Sequence, residues 1–196
     1  MTTAAACHLQ QDQPSAWVRR FAPLMPHGQV LDLACGGGRH SRLLASLGLD
    51  VLAVDRDPQS LAATAGERIR TLAFDLERPA VETDPAFPLA EGRYTGIVVT
   101  NYLHRPLLPL LLSSLAEGGV LVYETFAQGN GQFGKPSNPD FLLAPGELLQ
   151  AVADHPDRSG FHVIAYEDGY IASPKPAMVQ RICVRRGGNA AENVLG

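Results

Sequence analysis

Short apolar runs alternate with stretches in which apolar residues recur every three or four positions, from about residue 14 to residue 186. Runs of four to eight apolar residues between turn formers read as buried strands, and an i, i+3, i+4, i+7 spacing reads as a helix. Residues 29–34 (QVLDLA), 50–55 (DVLAVD), 69–75 (IRTLAFD), 96–100 (GIVVT) and 120–125 (VLVYET) are the first five strands. Between them lie helical patterns. Pro14-Ser15 opens a helix carrying Trp17, Val18 and Phe21 on one side. After Gly36-Gly37-Gly38, the residues His40, Leu43, Leu44 and Leu47 mark a helix that Gly48 ends. Asp57-Pro58 begins another through about Ala65, and 106–116 and 145–154 supply two more. Runs at 161–166 and 177–185, joined by a short connection, suit an antiparallel hairpin at a sheet edge.

Strands alternating with helices define an α/β fold, because parallel strands need crossover connections that pack on the sheet faces. The expectation is a Rossmann-like sheet of seven strands, mostly parallel with an antiparallel last strand, and helices on both faces. Residues 78–95 read as an irregular crossover. Residues 126–144, rich in Gly, Asn and Pro, form a long connection of the kind that closes over binding sites. Phe126, Phe133 and Phe141 are placed to give such a lid a dry inner surface.

A chain of 196 residues is the size of one domain, with 45% hydrophobic and 18% charged residues, in the globular range. The domain is expected over 14–186, with flexible tails at 1–13 and 187–196. The net charge is −4, and Arg19-Arg20 and Arg185-Arg186 are too short to track phosphates, which counts against a nucleic-acid partner. The greasiest stretch, 103–115, is broken by Arg105, Pro106 and Pro109 and is too short to cross a bilayer. The chain opens without a basic segment leading into an apolar one. Cys7, Cys35 and Cys183 lack metal-ligand spacing, so no metal site is expected and a cytoplasmic location is.

The candidate chemistry sits where the first strand meets its helix, in Asp32-Leu33-Ala34-Cys35-Gly36-Gly37-Gly38. Open α/β sheets bind ligands beyond the carboxyl ends of their strands, where the strand order reverses. Glycines there let the chain turn sharply and bring amides against a ligand. Asp55, ending the second strand, can accept both hydroxyl protons of a ribose. A dinucleotide site wants G-x-G-x-x-G facing a pyrophosphate, but here the third glycine position is Ser41. Asp32 would also repel pyrophosphate, whereas it suits the ammonium and sulfonium of S-adenosylmethionine. Cys35 reads as a small packing residue rather than a nucleophile.

Residues 29–38, 51–57, 69–76, 94–104 and 118–125 resemble the successive motifs of class I S-adenosylmethionine-dependent methyltransferases. The D-x-A-C-G-x-G form is similar to small-molecule methyltransferases of the tellurite-resistance and thiopurine kind. The resemblance implies S-adenosylmethionine as cofactor, with Asp32, Ala34, Gly36 and Gly38 around its methionine end. It places Asp55 on the ribose, Arg56 beside the adenine, Asp75 and the Leu76 amide on the adenine edge, and Asn101 closing the methionine side. In one respect the chain departs from the pattern: Tyr94 is followed by Thr95 and Gly96, where an acidic residue is common.

Methyl transfer is an in-line displacement, in which the protein aligns the acceptor and excludes water. Tyr102 and His104 fall where an acceptor approaches, either as catalytic groups or as pocket wall. His104 is the candidate base, with Arg105 beside it favouring a neutral imidazole. A small-molecule acceptor is the leading expectation. The alternatives are an RNA or protein acceptor, although the N-P-P-[YF] signature is replaced by Asn101-Tyr102-Leu103-His104, or a non-catalytic cofactor-binding regulator.

Overall fold

A computed structural model of the chain describes residues 13–78 and 84–188. Its strands are β1 (Gln29–Leu33), β2 (Asp50–Asp55), β3 (Ile69–Ala73), β4 (Tyr94–Thr100), β5 (Leu115–Phe126), β6 (Phe161–Ile171) and β7 (Ala177–Arg186). The helices are α1 (Ala16–Phe21), α2 (Arg39–Ser46), α3 (Pro58–Thr64), α4 (Leu107–Ser113) and α5 (Glu147–Ala153). One sheet holds all seven strands in the order β3-β2-β1-β4-β5-β7-β6. β1 to β5 run parallel, and β7 alone is antiparallel to its neighbours β5 and β6. This is the architecture expected from the residue pattern. The expected tails lie outside the described residues over 1–12 and 189–196, as do residues 79–83 of the crossover.

Alternate side chains of each central strand enter opposite cores, as the pleat requires. Leu31 and Leu33 of β1, with Leu52 and Val54 of β2, pack toward α4 and α5 through Leu107, Leu111, Leu112, Leu148 and Val152. Val30, Val51 and Ala53 face the other way, against Trp17, Val18 and Phe21 of α1, Leu44 of α2 and Leu61 of α3. Asp32 falls in register with Val30 and so projects into this second layer. Caps fix two helix starts: Ser15 accepts from the Trp17 amide, and Asp57 accepts from the Gln59 and Ser60 amides, with Pro58 in the first turn.

Several boundaries differ from the sequence reading. The helix expected through residue 116 stops at Ser113, because β5 starts at Leu115, opposite Tyr94. Gly118-Gly119, expected as the turn before this strand, is instead an irregularity inside it, where the β4–β5 register shifts. A Cβ at Gly119 would meet the carbonyl oxygens of Ala116 and Tyr94 at 2.8 Å each. The last hairpin is also longer than expected, since β6 continues to Ile171 through polar residues that pair with β7. No helix among the described residues is long and apolar enough to cross a membrane.

Candidate functional site

The strand order reverses between β1 and β4, and a crevice opens at their carboxyl ends. The loop after β1 shapes one wall. Ala34, Gly36 and Gly38 all have positive φ, at 53°, 52° and 73°. At Gly38 the requirement is doubled, because a Cβ would lie 2.4 Å from Cγ2 of Thr64. Beside Gly36 and Gly37 a Cβ would meet nothing within 4 Å, so a ligand can approach the bare backbone there. The Gly36 amide donates to Oδ2 of Asp55 at 2.8 Å, and the Asp57 amide donates to Oδ1 at 2.9 Å. Thr64 donates to the Gly36 carbonyl at 3.2 Å, and Arg42 donates to that of Gly37 at 2.7 Å. The loop is thus held from β2, α2 and α3 at once.

This loop lines a cavity of about 390 Å³ with Arg39, His40 and Arg42 from α2 and Thr100 and Asn101 from the end of β4. Asn101, also at positive φ, donates its amide to the Glu124 carbonyl at 2.9 Å. Asp32 does not line the cavity. It is buried behind the loop, where it accepts the Ser41 hydroxyl at 2.6 Å. Burial raises its carboxyl to about 6, against a smaller opposing effect of the Ser41 hydrogen bond. Cys35 is buried, and its thiol is pushed well above the ordinary range by desolvation and then by Asp32 and Asp55, which suits a packing role.

Asp55, Arg56, Asp75 and Tyr102 gather on the β2–β3 side. Asp75 follows β3, where it accepts the Glu77 amide at 3.0 Å, and Leu76 is buried. Burial, then the Glu77 and Asp75 charges nearby, raise the pKa of the Tyr102 hydroxyl. Tyr102 therefore stands with the residues assigned to the adenine end. His104 is half-buried in the turn before α4, its carbonyl accepting the Leu107 amide at 3.0 Å. Arg105 engages Glu147 of α5 at 2.7 Å and the carbonyls of Asp140 and Leu142 at 2.7 and 2.9 Å.

A second cavity, of about 810 Å³, shares Arg39 and Asn101 with the first. Its apolar wall is Phe126, Phe133, Ile171 and Val179, and its polar wall includes Arg19, Glu124 and Arg181. Tyr102 and His104 are not among the residues lining either cavity. The sequence reading missed this wall because its parts come from α1, β5, residues 129–135 and the β6–β7 hairpin. Of the three phenylalanines expected to form a lid, Phe126 and Phe133 reach the cavity, whereas Phe141 is 50% exposed. The base of that segment is pinned, with Gln128 donating to the Leu143 carbonyl at 2.9 Å and Asn130 accepting the Met178 amide at 3.2 Å.

Comparison with known proteins brings in the class. The family model of the tellurite resistance protein TehB matches residues 16–87. A protein-L-isoaspartate O-methyltransferase of Chlorobaculum tepidum is 35% identical, over 50% of this chain and 45% of that one. A trans-aconitate 2-methyltransferase of Methylobacterium radiotolerans is 32% identical, over 74% of this chain and 51% of that one. The chain thus spans about half the length of these curated relatives. The crystal structure of TehB from Haemophilus influenzae shares the fold, with a TM-score of 0.65 at 21% identity, covering 89% of this chain and 63% of that one. Other solved structures of the fold include S-adenosylmethionine-dependent methyltransferases, and one methyltransferase holds S-adenosylhomocysteine.

Fold, glycine loop and sequence likeness together make the chain similar to S-adenosylmethionine-dependent methyltransferases.

Proposed function

We propose that this protein transfers a methyl group from S-adenosylmethionine to a small molecule held in the 810 Å³ cavity. The observation that supports the reading best is the junction of the two cavities at Arg39 and Asn101, beside the bare backbone of Gly36 and Gly37. The smaller cavity fits the methionine end, since Arg39 and Arg42 offer cations to its carboxylate and the loop leaves room for close approach. Asp55 already orients the loop through Gly36 and keeps lone pairs for a ribose. Asp32, buried and anionic at neutral pH, acts from behind by holding Ser41 and stabilising positive charge at the loop. Arg56, Asp75, the Leu76 amide and Tyr102 frame the adenine side.

When bound, S-adenosylmethionine supplies a methyl carbon already activated by a sulfonium. The chain has to bring an acceptor atom in line at the Arg39–Asn101 junction and exclude water. The partly apolar wall of Phe126, Phe133, Ile171 and Val179 serves that purpose. His104 is absent from the lining of the cavity, so the proposed reaction uses an acceptor that needs no base from it. A cavity of this size favours a small molecule over a polynucleotide or polypeptide.

The test is transfer of labelled methyl from S-adenosylmethionine in a cell extract separated by size. Label in the low-mass fraction is the expected result. Label confined to protein or RNA would overturn the small-molecule acceptor and leave the cofactor assignment standing.

A further inference from the structure

The chain has only two lysines, Lys135 and Lys175, beside fourteen arginines. Forty residues separate them in sequence, yet both line the larger cavity. Lys135 comes from the connection after β5 and Lys175 from the β6–β7 hairpin, and the Phe133 and Tyr170 rings join these two segments at 5.1 Å. Arg19, from α1, lines the same space. Among the described residues neither lysine has a carboxylate partner. The one carboxylate in the lining, Glu124, is already matched by Arg181 at 3.0 Å and the Ser15 hydroxyl at 2.8 Å. The cavity is therefore cationic in a protein of net charge −4, and part of its lining is apolar.

Resting on the reading of this cavity as the acceptor site, we propose that the acceptor is an organic anion, a carboxylate or phosphate on an apolar body. Lys135 and Lys175 hold its charge from two sides while Phe126, Phe133, Ile171 and Val179 cover its body. Lysine suits the task because its compact ammonium on a flexible stem follows an anion whose position is fixed by packing elsewhere. An anion also draws together the connection after β5 and the β6–β7 hairpin, which closes the cavity over the reacting group. Both lysines are solvent-exposed and carry no carboxylate partner among the described residues, so they are available to an entering anion.

The experiment is thermal unfolding of the full chain with saturating S-adenosylhomocysteine and matched probes at millimolar concentration. Benzoate, cinnamate and phenyl phosphate are each set against benzamide, cinnamamide and phenol. The acids raise the unfolding temperature and their neutral counterparts do not. In the Lys135→Met/Lys175→Met variant, which keeps the aliphatic stems, affinity for the acids falls about tenfold or more, as expected for losing charged hydrogen bonds. The response to S-adenosylhomocysteine is unchanged in that variant. Equal shifts from the neutral probes, no shift from any acid, or acid shifts that survive in the variant would each overturn the proposal. Acid shifts without any response to S-adenosylhomocysteine would keep the anion site and remove the methyl-transfer reading.

Discussion

The backbone amide of Ser15 donates to Nε2 of His40 at 3.1 Å, across 25 residues of sequence. Because Nε2 accepts, the ring proton sits on Nδ1, which faces Oγ1 of Thr100 at 3.3 Å. The Ser15 hydroxyl donates in turn to Glu124 at 2.8 Å. One neutral imidazole thus ties the start of α1 to α2, to the end of β4 and, through Ser15, to β5. These are the segments that meet where the two cavities join.

His40→Phe fills the space but removes both ring nitrogens. Amide exchange at Ser15 is expected to speed up and the protein to lose about 1–3 kcal/mol, the cost of an unpaired buried donor. Unchanged exchange at Ser15 would show that the bond does not hold α1 in place.

The pH dependence of stability should show two opposed terms. Burial raises Asp32 from its usual 3.8 to about 6, so between about pH 4 and 6 the folded state keeps a proton the unfolded chain has released. Stability from this group falls as pH rises. Burial, then Arg39, lowers His40 from 6.5 to about 3, so the unfolded chain holds a proton the folded state refuses. Stability from this group falls as pH falls from about 6.5 toward 3. Each slope is at most about 1.4 kcal/mol per pH unit. Urea unfolding of Asp32→Asn against the natural chain should therefore give a stability difference that grows in the variant's favour, by about 2 kcal/mol, from pH 4 to pH 6. A difference independent of pH would mean that Asp32 is not the titrating group.

The glycine loop predicts a graded series. Gly37→Ala enters open space at an ordinary φ and should change stability by under about 0.5 kcal/mol. Gly36→Ala adds only the left-handed backbone penalty, about 1 kcal/mol. Gly38→Ala adds a collision with Thr64 to the same penalty and should cost about 2–4 kcal/mol. Chemical unfolding of the three variants checks the order, and an equal cost at all three would contradict the loop geometry.

The central strands were legible because residues such as Leu31, Leu33, Val51 and Val54 are buried on both faces and leave continuous apolar runs. The start of β5 was hidden, since Ala116 to Gly119 carry the signature of a turn and the strand pairs with β4 only on either side of them, at Leu115 and from Val120 on. Asp55, Gly36 and Gly38 were readable from local spacing, because one loop and the end of the next strand create that part of the site. The cavity wall was not. Arg19, Lys135 and Lys175 are scattered through the chain and meet only through the sheet order and the last hairpin. His40 read as an apolar-face helix position, and its partners Ser15 and Thr100 lie too far away in sequence to signal one another. Tyr102 and His104 are two residues apart, yet Tyr102 falls within the influence of the Glu77 and Asp75 charges, and neither residue lines either cavity.

Calorimetric titration with S-adenosylhomocysteine tests the central claim most directly. One molecule is expected to bind per chain, with Asp55→Ala weakening it at least tenfold, about 1.4 kcal/mol, through loss of a charged hydrogen-bond pair and of the Gly36 tether. No binding, or tighter binding of NADH than of S-adenosylhomocysteine, would contradict it.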